Sequence, residues 1–475
     1  MIKLQAAFLA AGLALVAAPA GATATFEYIF DGGYPLAVSN DGTVLAGNLA
    51  DGSFGPFRWT QATGLVPLGR LSYVGGGGTP GISSDGTRIA STIGSLDSSY
   101  TTQGLWTLGS GWQELMPPAP ADGGTVDGSY GDLWGLSGDG TTAVGLYWRP
   151  GVGNHAHASK WTQATGVVDL GGTITGQSSR ANCVNYDGSV IAGWVETPTG
   201  PWRPAAWVNG TVVLLTNYVE ATIAGSGEAR AVNQSGDIIV GFSADPASNQ
   251  RAASMWKRTN GVFGPTQILG WIDGSEPGYG KTIPYAVSND GRIVVGFASY
   301  YGDPFDVAGF VWTQQTGVID AATFLANNGV FVDPNFAIKS LSAMTPDGTK
   351  IFGYGQMLVA PYTRRAFKIT LSNQVAVLPQ ASPAQLALSA PIPNPSSETS
   401  RLDFTLARAT NADLSIFDVT GRRVATLVRG ELPAGPRSVT WDGRDANGQS
   451  VSAGVYFAHL STVEGALSRR IIRVN

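Results

Sequence analysis

A short pattern of apolar and polar positions recurs seven times along most of the chain, at intervals of 44 to 57 residues. Each copy has a small residue, an apolar residue, Ser, Thr or Asn, a variable residue, usually Asp, then Gly, four mostly apolar positions and usually Gly. The central glycines are Gly42, Gly86, Gly140, Gly188, Gly236, Gly291 and Gly348. Asp-Gly supplies the positive φ of a hairpin turn, and Ser or Asn can bond to the turn backbone. Each copy predicts two short antiparallel strands.

The position five residues before each central glycine is always small. These residues are Ala37, Gly81, Gly135, Cys183, Ala231, Ala286 and Ala343. Such a column predicts an innermost strand, where seven strands crowd around one axis. A glycine also closes every copy except the second, which has Ser91 there. This closing glycine predicts a bend or a close approach of two backbones.

A second predicted hairpin follows each copy and carries a large aromatic residue. These residues are Trp59, Trp106, Trp161, Trp207, Trp256, Trp312 and Phe367. Four strands per unit and seven units predict an all-β fold, a seven-bladed β-propeller over residues 25–380. We expect the aromatic rings to pack between adjacent blades. Residues 26–30 are predicted to form an extra outer strand that pairs with the last blade.

Residues 1–24 have the pattern of a secretory signal peptide. Lys3 gives the positive start, residues 6–18 form an apolar run, and Ala22-Thr23-Ala24 is a small-x-small cleavage site. The alternative is a single membrane anchor, but the apolar run is short for a span of about 20 residues. We therefore expect a secreted or cell-surface protein with no transmembrane segment after signal cleavage.

Charge and cysteine content bear on nucleic-acid binding and on thiol chemistry. The net charge is −5 and no basic patch appears, so nucleic acid is not an expected partner. Cys183 is the single cysteine, so no intramolecular disulfide can form. Because Cys183 lies in the small column, we interpret it as a small buried hydrophobic residue rather than a reactive or metal-binding thiol.

The turn segments Ser39-Asn40-Asp41-Gly42-Thr43 and Thr345-Pro346-Asp347-Gly348-Thr349 resemble those of known exported propellers. The resemblance is to the HAF class of extracellular repeats and spans about residues 26–379. It implies an exported propeller. It does not imply a ligand.

A different all-β pattern follows a linker and entry strand at residues 381–398. Candidate strands lie at residues 401–406, 413–418, 423–428, 437–441, 454–460 and 468–473. They predict a small β-sandwich over residues 399–475. The strings DVTGRRV, LPAG, WDGRD and AGVYF, in that order, resemble the FlgD/Vpr-type Ig-like domain. This module is also similar to the C-terminal sorting domain of type IX secretion substrates, which implies export followed by surface attachment or release.

Motifs for catalysis are absent from the sequence. No nucleophile elbow, phosphate-binding loop or HExxH helix occurs. His155 and His157 could share a metal, but a solvated loop is the default interpretation, and the aspartates of the repeats are explained by turn geometry. We therefore predict no catalytic, cofactor-binding or metal residues, no cofactor, and a protein that is not an enzyme. The ligand-binding residues stay unknown.

The function predicted is a secreted or cell-surface, non-catalytic propeller whose loops bind an unknown protein or glycan ligand. The C-terminal Ig-like module would contact the secretion machinery or attach the protein to the surface, and we expect a monomer. Alternatives are a propeller enzyme acting on polysaccharide or peptide, and a purely structural envelope component. The candidate contact residues are Tyr73, Tyr100, Tyr130, Trp148, Trp202, Tyr300 and Tyr301.

Overall fold

A computed structural model divides the chain into two compact units, Met1–Ala376 and Val377–Asn475. It describes residues 24–69, 77–95, 101–115, 131–149, 155–172, 177–197, 200–216, 227–245, 251–272, 281–299, 307–372, 386–389, 391, 393–406, 410–432, 435–463 and 465–474. The predicted signal peptide lies outside these residues, except that Ala24 begins the first strand. The predicted boundary at residues 380/381 also lies outside them and stays a prediction.

The first unit consists of antiparallel meanders, each formed by consecutive strands. We call them repeat sheets 1 to 7. Sheet 1 contains β2 (Gly33–Val38), β3 (Val44–Leu49), β4 (Pro56–Thr60) and β5 (Gly64–Pro67). Sheet 2 contains β6 (Gly81–Ile82), β7 (Arg88–Gly94), β8 (Thr101–Thr107) and β9 (Gly111–Leu115). Sheet 3 contains β10 (Asp132–Leu136), β11 (Thr142–Arg149), β12 (His155–Thr162) and β13 (Gly166–Asp169). Sheet 4 contains β14 (Ser179–Val184), β15 (Val190–Thr197), β16 (Gly200–Val208) and β17 (Thr211–Leu214).

The remaining meanders complete the first unit. Sheet 5 contains β18 (Glu228–Val232), β19 (Ile238–Ala244), β20 (Arg251–Thr259) and β22 (Gln267–Gly270), and β21 (Val262–Phe263) also pairs with β20. Sheet 6 contains β23 (Lys281–Val287), β24 (Ile293–Ser299), β25 (Val307–Thr313) and β26 (Gly317–Asp320), followed by helix α1 (Ala321–Asn327). A single parallel residue pair, Arg251 with Lys281, joins sheets 5 and 6. Sheet 7 contains β27 (Phe336–Met344), β28 (Lys350–Met357), β29 (Arg364–Leu371) and, from the opposite end of the chain, β1 (Ala24–Asp31).

The predicted pairing of the N-terminal strand with the last sheet is confirmed. Strand β1 runs antiparallel to β29, from Ala24 opposite Leu371 to Asp31 opposite Arg365. The chain then passes through Gly32, at φ +81°, directly into β2 of sheet 1. The two ends of the repeat region are therefore joined by backbone hydrogen bonds of a sheet.

The Asp-Gly turns have the predicted geometry. The seven central glycines all have φ between 69° and 75°. In the first turn, Ser39 Oγ donates to Asp41 Oδ1 (2.7 Å), and Val44 N donates to Ser39 Oγ (3.0 Å). The fifth copy has Ser235 in place of the aspartate, and Asp237 supplies the accepting carboxylate instead. The aspartates are therefore acceptors within their own turns.

Hydrogen bonds also link each turn to the next. Asn40 N donates to Ser84 O (2.9 Å), and Ser84 N donates to Gly138 O (2.7 Å). The remaining links are Asp139 N to Tyr186 O, Tyr186 N to Gln234 O, Gln234 N to Asn289 Oδ1, Asn289 N to Pro346 O, and Lys350 Nζ to Asp41 O. We call these seven links the turn circuit. It passes through all seven repeat sheets and returns to the first.

The hydrophobic core of the first unit lies between neighbouring sheets. Trp207 and Trp256 are at most 1% exposed and pack in clusters that combine residues of two adjacent sheets. Their Nε1 atoms donate to the preceding sheet, at Leu170 O (3.1 Å) and Thr216 O (2.9 Å). The predicted packing of these rings between sheets is confirmed. In sheet 7 the prediction is wrong by two residues. In sheet 4, Trp207 lies opposite Ile191, and the residue opposite the equivalent Ile351 of sheet 7 is Ile369, not Phe367.

The closing glycines mark close approaches of two backbones, as predicted. A Cβ on Gly193 would lie 1.9 Å from Arg180 O, and one on Gly241 would lie 1.9 Å from Glu228 O. Ser91 is tolerated in sheet 2 because β6 begins only at Gly81, which pairs with Ala90, so no residue of β6 lies opposite Ser91.

The second unit has two sheets. Strands β30 (Ala387–Leu388), β31 (Ser400–Leu406) and β34 (Gly435–Trp441) form one. The other contains β32 (Thr410–Asp418), β33 (Arg423–Leu432), β35 (Gly454–Thr462) and β36 (Gly465–Arg473). Trp441 is 1% exposed, contacts Tyr456 edge-on (5.2 Å between centroids) and donates from Nε1 to Arg444 O (2.9 Å). All six predicted strands are present, and Trp441 lies in the core as expected. Within the described part of the chain, no helix is long and apolar enough to span a membrane.

We predict that Gly193→Ala lowers the free energy of unfolding by about 2–4 kcal/mol, because the new methyl group overlaps the Arg180 carbonyl and must displace a central strand. Ser91→Ala is the matched control at the same repeat position and should cost clearly less. Chemical denaturation of both variants measures the difference. Equal losses in the two variants would contradict the close-approach explanation.

Candidate binding site

A cavity of about 250 Å³ is lined by the first strand or its flank from every repeat sheet. All seven residues of the small column contribute to its wall, which the sequence predicted from their size. The position next to them is different in character. Its occupants are Leu36, Pro80, Trp134, Asn182, Arg230, Tyr285 and Ser342, and all of them also line the cavity.

A β-bulge sets these variable residues apart. In six of the seven first strands, the register with the second strand shifts across this position, so the residue has no partner in the ladder. Asn182, for example, lies between the paired residues Ala181 and Cys183. A bulge bends the strand and re-aims the extra side chain. Nearly every sheet therefore contributes to the shared cavity one side chain whose identity is not restricted by strand pairing.

Two arginines and a glutamate form a buried cluster beside this cavity. Arg180 Nη2 donates to Glu228 Oε2 (2.8 Å), and Arg230 Nη1 donates to the same oxygen (3.2 Å). Asn182 Nδ2 also donates to Glu228 Oε2 (3.3 Å), while Arg180 Nε donates to Asn182 Oδ1 (2.7 Å). Glu228 is 5% exposed. One carboxylate therefore faces two guanidinium groups, and the cluster carries an excess of positive charge.

Aromatic rings flank the guanidinium groups. The Cζ atom of Arg180 lies 4.1 Å from the centre of the Trp134 ring, and that of Arg230 lies 5.4 Å from the centre of the Tyr285 ring. Such stacking holds a guanidinium plane while leaving its edge available for hydrogen bonds. Arg230 lines the cavity and has guanidinium N–H groups besides the one bonded to Glu228, so a planar anion there would meet charged donors and an aromatic face.

Three buried polar atoms near the cluster have no hydrogen-bond partner among the described residues. They are Asp132 Oδ1, Trp134 Nε1 and Trp194 Nε1, the last on a second ring beside Arg180. Burial raises the pKa of Asp132, although Gly77 and Thr92 donate hydrogen bonds to it and the charge of Arg180 favours ionisation. Asp132 is therefore a buried carboxyl group with a raised pKa, close to a cationic group.

Cys183 belongs to the small column and lines the same cavity. Burial raises the pKa of its thiol to about 12, and Sγ lies 3.7 Å from Ala192 O. The thiol is therefore un-ionised near neutral pH. Cys183 packs against a hydrophobic cluster of sheets 4 and 5, as expected of a small hydrophobic residue, but it is half-buried rather than buried as predicted.

The histidine pair does not form the predicted solvated loop, and that prediction is wrong. Residues 155–157 begin strand β12, whose pairing with β11 carries them into the sheet. His157 is 8% exposed, and its Nδ1 lies 3.0 Å from Asp169 Oδ2. In the described ranges, no group of three or more His, Cys, Asp or Glu side chains could hold a metal ion.

The aromatic residues expected in ligand-binding loops divide into two groups. Tyr73, Tyr100, Tyr130, Tyr300 and Tyr301 lie outside the described residues. Trp148 and Trp202 lie in strands β11 and β16 rather than in loops. Trp202 is 40% exposed and stacks on Trp194, with 4.6 Å between ring centroids.

One family model matches the chain. Residues 394–465 match the FlgD Ig-like domain, so the second unit contains such a domain. No curated protein has a sequence that matches this chain.

Solved structures resemble the first unit only loosely. TolB from Acinetobacter baumannii is 16% identical, with 50% of this chain and 56% of TolB covered and a TM-score of 0.34. A prolyl endopeptidase is 11% identical, with 79% and 55% covered and a TM-score of 0.45. The β-propeller domain of the Trilobed protease from Pyrococcus furiosus is 12% identical, with 71% and 95% covered and a TM-score of 0.43. The chain thus spans little more than half the length of the first two.

The prediction from the sequence that this protein is not an enzyme is wrong. The similar structures include a prolyl endopeptidase, an oligogalacturonate lyase from Vibrio parahaemolyticus and a puromycin hydrolase. Missing local motifs therefore give no ground for excluding catalysis in such a chain. At these identities the likeness concerns the fold and assigns none of those activities here.

Proposed function

We propose that the first unit is a seven-bladed β-propeller that binds a protein or glycan ligand at the mouth of its central cavity. The observation that carries this proposal is the convergence of seven variable side chains, six of them at β-bulges, on one cavity. The turn circuit and the pairing of β1 with β29 support a ring that closes after seven blades. The Arg180–Glu228–Arg230 cluster and its aromatic neighbours favour a ligand with an anionic group.

The protein is further proposed to work outside the cell, with the second unit as its sorting or attachment module. Support comes from the signal-like pattern of residues 1–24 and from the FlgD Ig-like domain at residues 394–465. In this arrangement the first unit meets the ligand and the second unit determines where the protein is retained.

The binding proposal is tested with arrays of glycans and peptides, using the intact chain. We expect Arg230→Gln to weaken binding of the preferred probes by about tenfold, because it removes a charged hydrogen-bond donor from the cavity. Arg292→Gln, at an exposed turn in sheet 6, is the matched control. If Arg230→Gln and wild type give the same array profile while both remain folded, the cavity is not the binding site.

The export proposal is tested by mass spectrometry of both protein ends, on culture medium and on washed cells. We expect an N-terminus near Thr25 in each fraction that contains the protein. Loss of everything after about residue 380 would identify the second unit as a removable sorting signal. An uncleaved N-terminus found only inside the cells would contradict export.

A second candidate function is hydrolysis of a polysaccharide, and Asp132 is the observation that favours it. Arg180 interacts with both Asp132 and Glu228. Their environments differ: burial raises the pKa of Asp132, whereas two arginines pair with Glu228. Glycoside hydrolysis uses two carboxyl groups, one of them a general acid with a raised pKa, and Asp132 is the candidate for that acid.

For this candidate we predict that Asp132→Asn abolishes any hydrolytic activity, because the amide cannot donate the proton. Wild-type activity should be present at low pH and fall as the pH rises through the raised pKa of Asp132. Reducing-sugar release from a panel of polysaccharides measures both effects. Activity that persists unchanged in Asp132→Asn would rule out this role.

A further inference from the structure

A second cavity, of about 370 Å³, lies between repeat sheets 1 and 7. Its wall includes Tyr34 of β2, Phe54 after β3, Lys339 of β27, Tyr354 of β28 and Arg364 of β29. We call it the seam groove. Its volume falls within the range of about 300–1,000 Å³ that is usual for small-molecule sites.

The charges of the seam groove are unbalanced. Lys339 and Arg364 both line it, and none of its ten lining residues is acidic. Arg364 Nη1 donates to the hydroxyl of Tyr34, and its guanidinium stacks over that ring at 5.5 Å. For Lys339, neither an ion pair nor a hydrogen bond is found among the described residues. A half-buried ammonium group without a partner is a ready anion site.

The backbone directs these side chains into the groove. Lys339 lies at a β-bulge, because the register of β27 with β28 shifts between Ile338 and Ser340. Phe54 has φ +50°, a left-handed conformation that is uncommon for a bulky residue, and its side chain is 49% exposed. Bulges and unfavourable backbone conformations cluster at functional sites.

The other lining groups suit a sugar. Tyr34 and Tyr354 meet edge to face with 4.8 Å between centroids, and together with Phe54 they provide apolar ring surfaces. Asn48 and Gln356 carry amides that both donate and accept hydrogen bonds, as sugar hydroxyls require. Tyr354 adds a phenolic hydroxyl, and burial raises its pKa to about 12.

We propose that the seam groove binds a carboxylate-bearing sugar of an acidic glycan, with Lys339 and Arg364 holding the carboxylate and the aromatic rings packing against the sugar. This site is separate from the central cavity and goes beyond the function proposed above. Only Leu36 lines both cavities.

The proposal is tested by calorimetric titration of the intact protein with cellobiouronic acid and with cellobiose, which differ in one carboxylate. We expect cellobiouronic acid to bind at least about tenfold more tightly than cellobiose. Lys339→Gln should remove this preference, and Lys339→Arg should keep most of it. Lys257→Gln, which removes an exposed lysine from β20 of sheet 5, is the control and should bind like wild type.

Four outcomes would overturn the proposal: no binding of the acidic sugar, equal affinity for the two sugars, an unchanged preference in a folded Lys339→Gln variant, or tighter binding of triglutamate, which would indicate an acidic peptide. Thermal unfolding of each variant establishes that it is folded. Arg230→Gln should leave this titration unchanged, so failure here and failure of the central-cavity proposal are distinguishable.

Discussion

The hydrogen bonds between neighbouring Asp-Gly turns are the constraint on which the first unit depends. The turns are held by their own polar side chains, as in Ser39 and Asp41, and six of the seven links between turns are donated by a backbone N–H, the seventh by Lys350 Nζ. Because the donor of one turn meets a carbonyl of the next, the spacing of the turns is fixed. These links hold the first strands beside one another around the cavity that all of them line.

The same constraint distinguishes the positions that maintain the fold from those that vary at the cavity. Turn, small residue and closing glycine are each required by a close contact, so these positions carry little freedom. The bulged residue directly before the small residue has no partner in the strand ladder. Arg230, Asn182 and Trp134 occupy it in successive sheets, and their differences alter the cavity without altering the strands. A repeat that is uniform in its backbone can therefore present an irregular site.

Much of this fold could be predicted from local sequence. The turns follow from short-range rules, because each depends on neighbours within a few residues. The outer strand at the N-terminus was predicted from its position ahead of the first copy, although its partner β29 lies at the other end of the chain. The bulge could not be predicted, since one inserted residue looks like ordinary variation in a strand. Phe367 was assigned to the position that Ile369 occupies for a related reason: the number of residues from the turn to the third strand differs among the copies. The one visible signal was the column itself, which varies freely next to the small column.

The site was harder to predict because its residues come together only when neighbouring sheets pack against one another. Arg180 and Glu228 are 48 residues apart, and no pattern in the sequence relates them. His157 shows the same difficulty, since its partner Asp169 lies on the next strand of the sheet. Interactions between sheets depend on the register of each strand, which is a property of the assembled unit.

The seam between sheets 7 and 1 differs from the other boundaries, and this difference bears on the groove found there. Elsewhere the chain leaves one sheet only after completing it, whereas here β1 completes sheet 7 and passes through Gly32 into sheet 1. The seam is thus the point where the two ends of the repeat region must find each other during folding. A ligand held by both Tyr34 of sheet 1 and Lys339 of sheet 7 would bind the joined form alone, and so would stabilise closure by mass action. Binding in the seam groove and stability of the first unit are then coupled through one boundary.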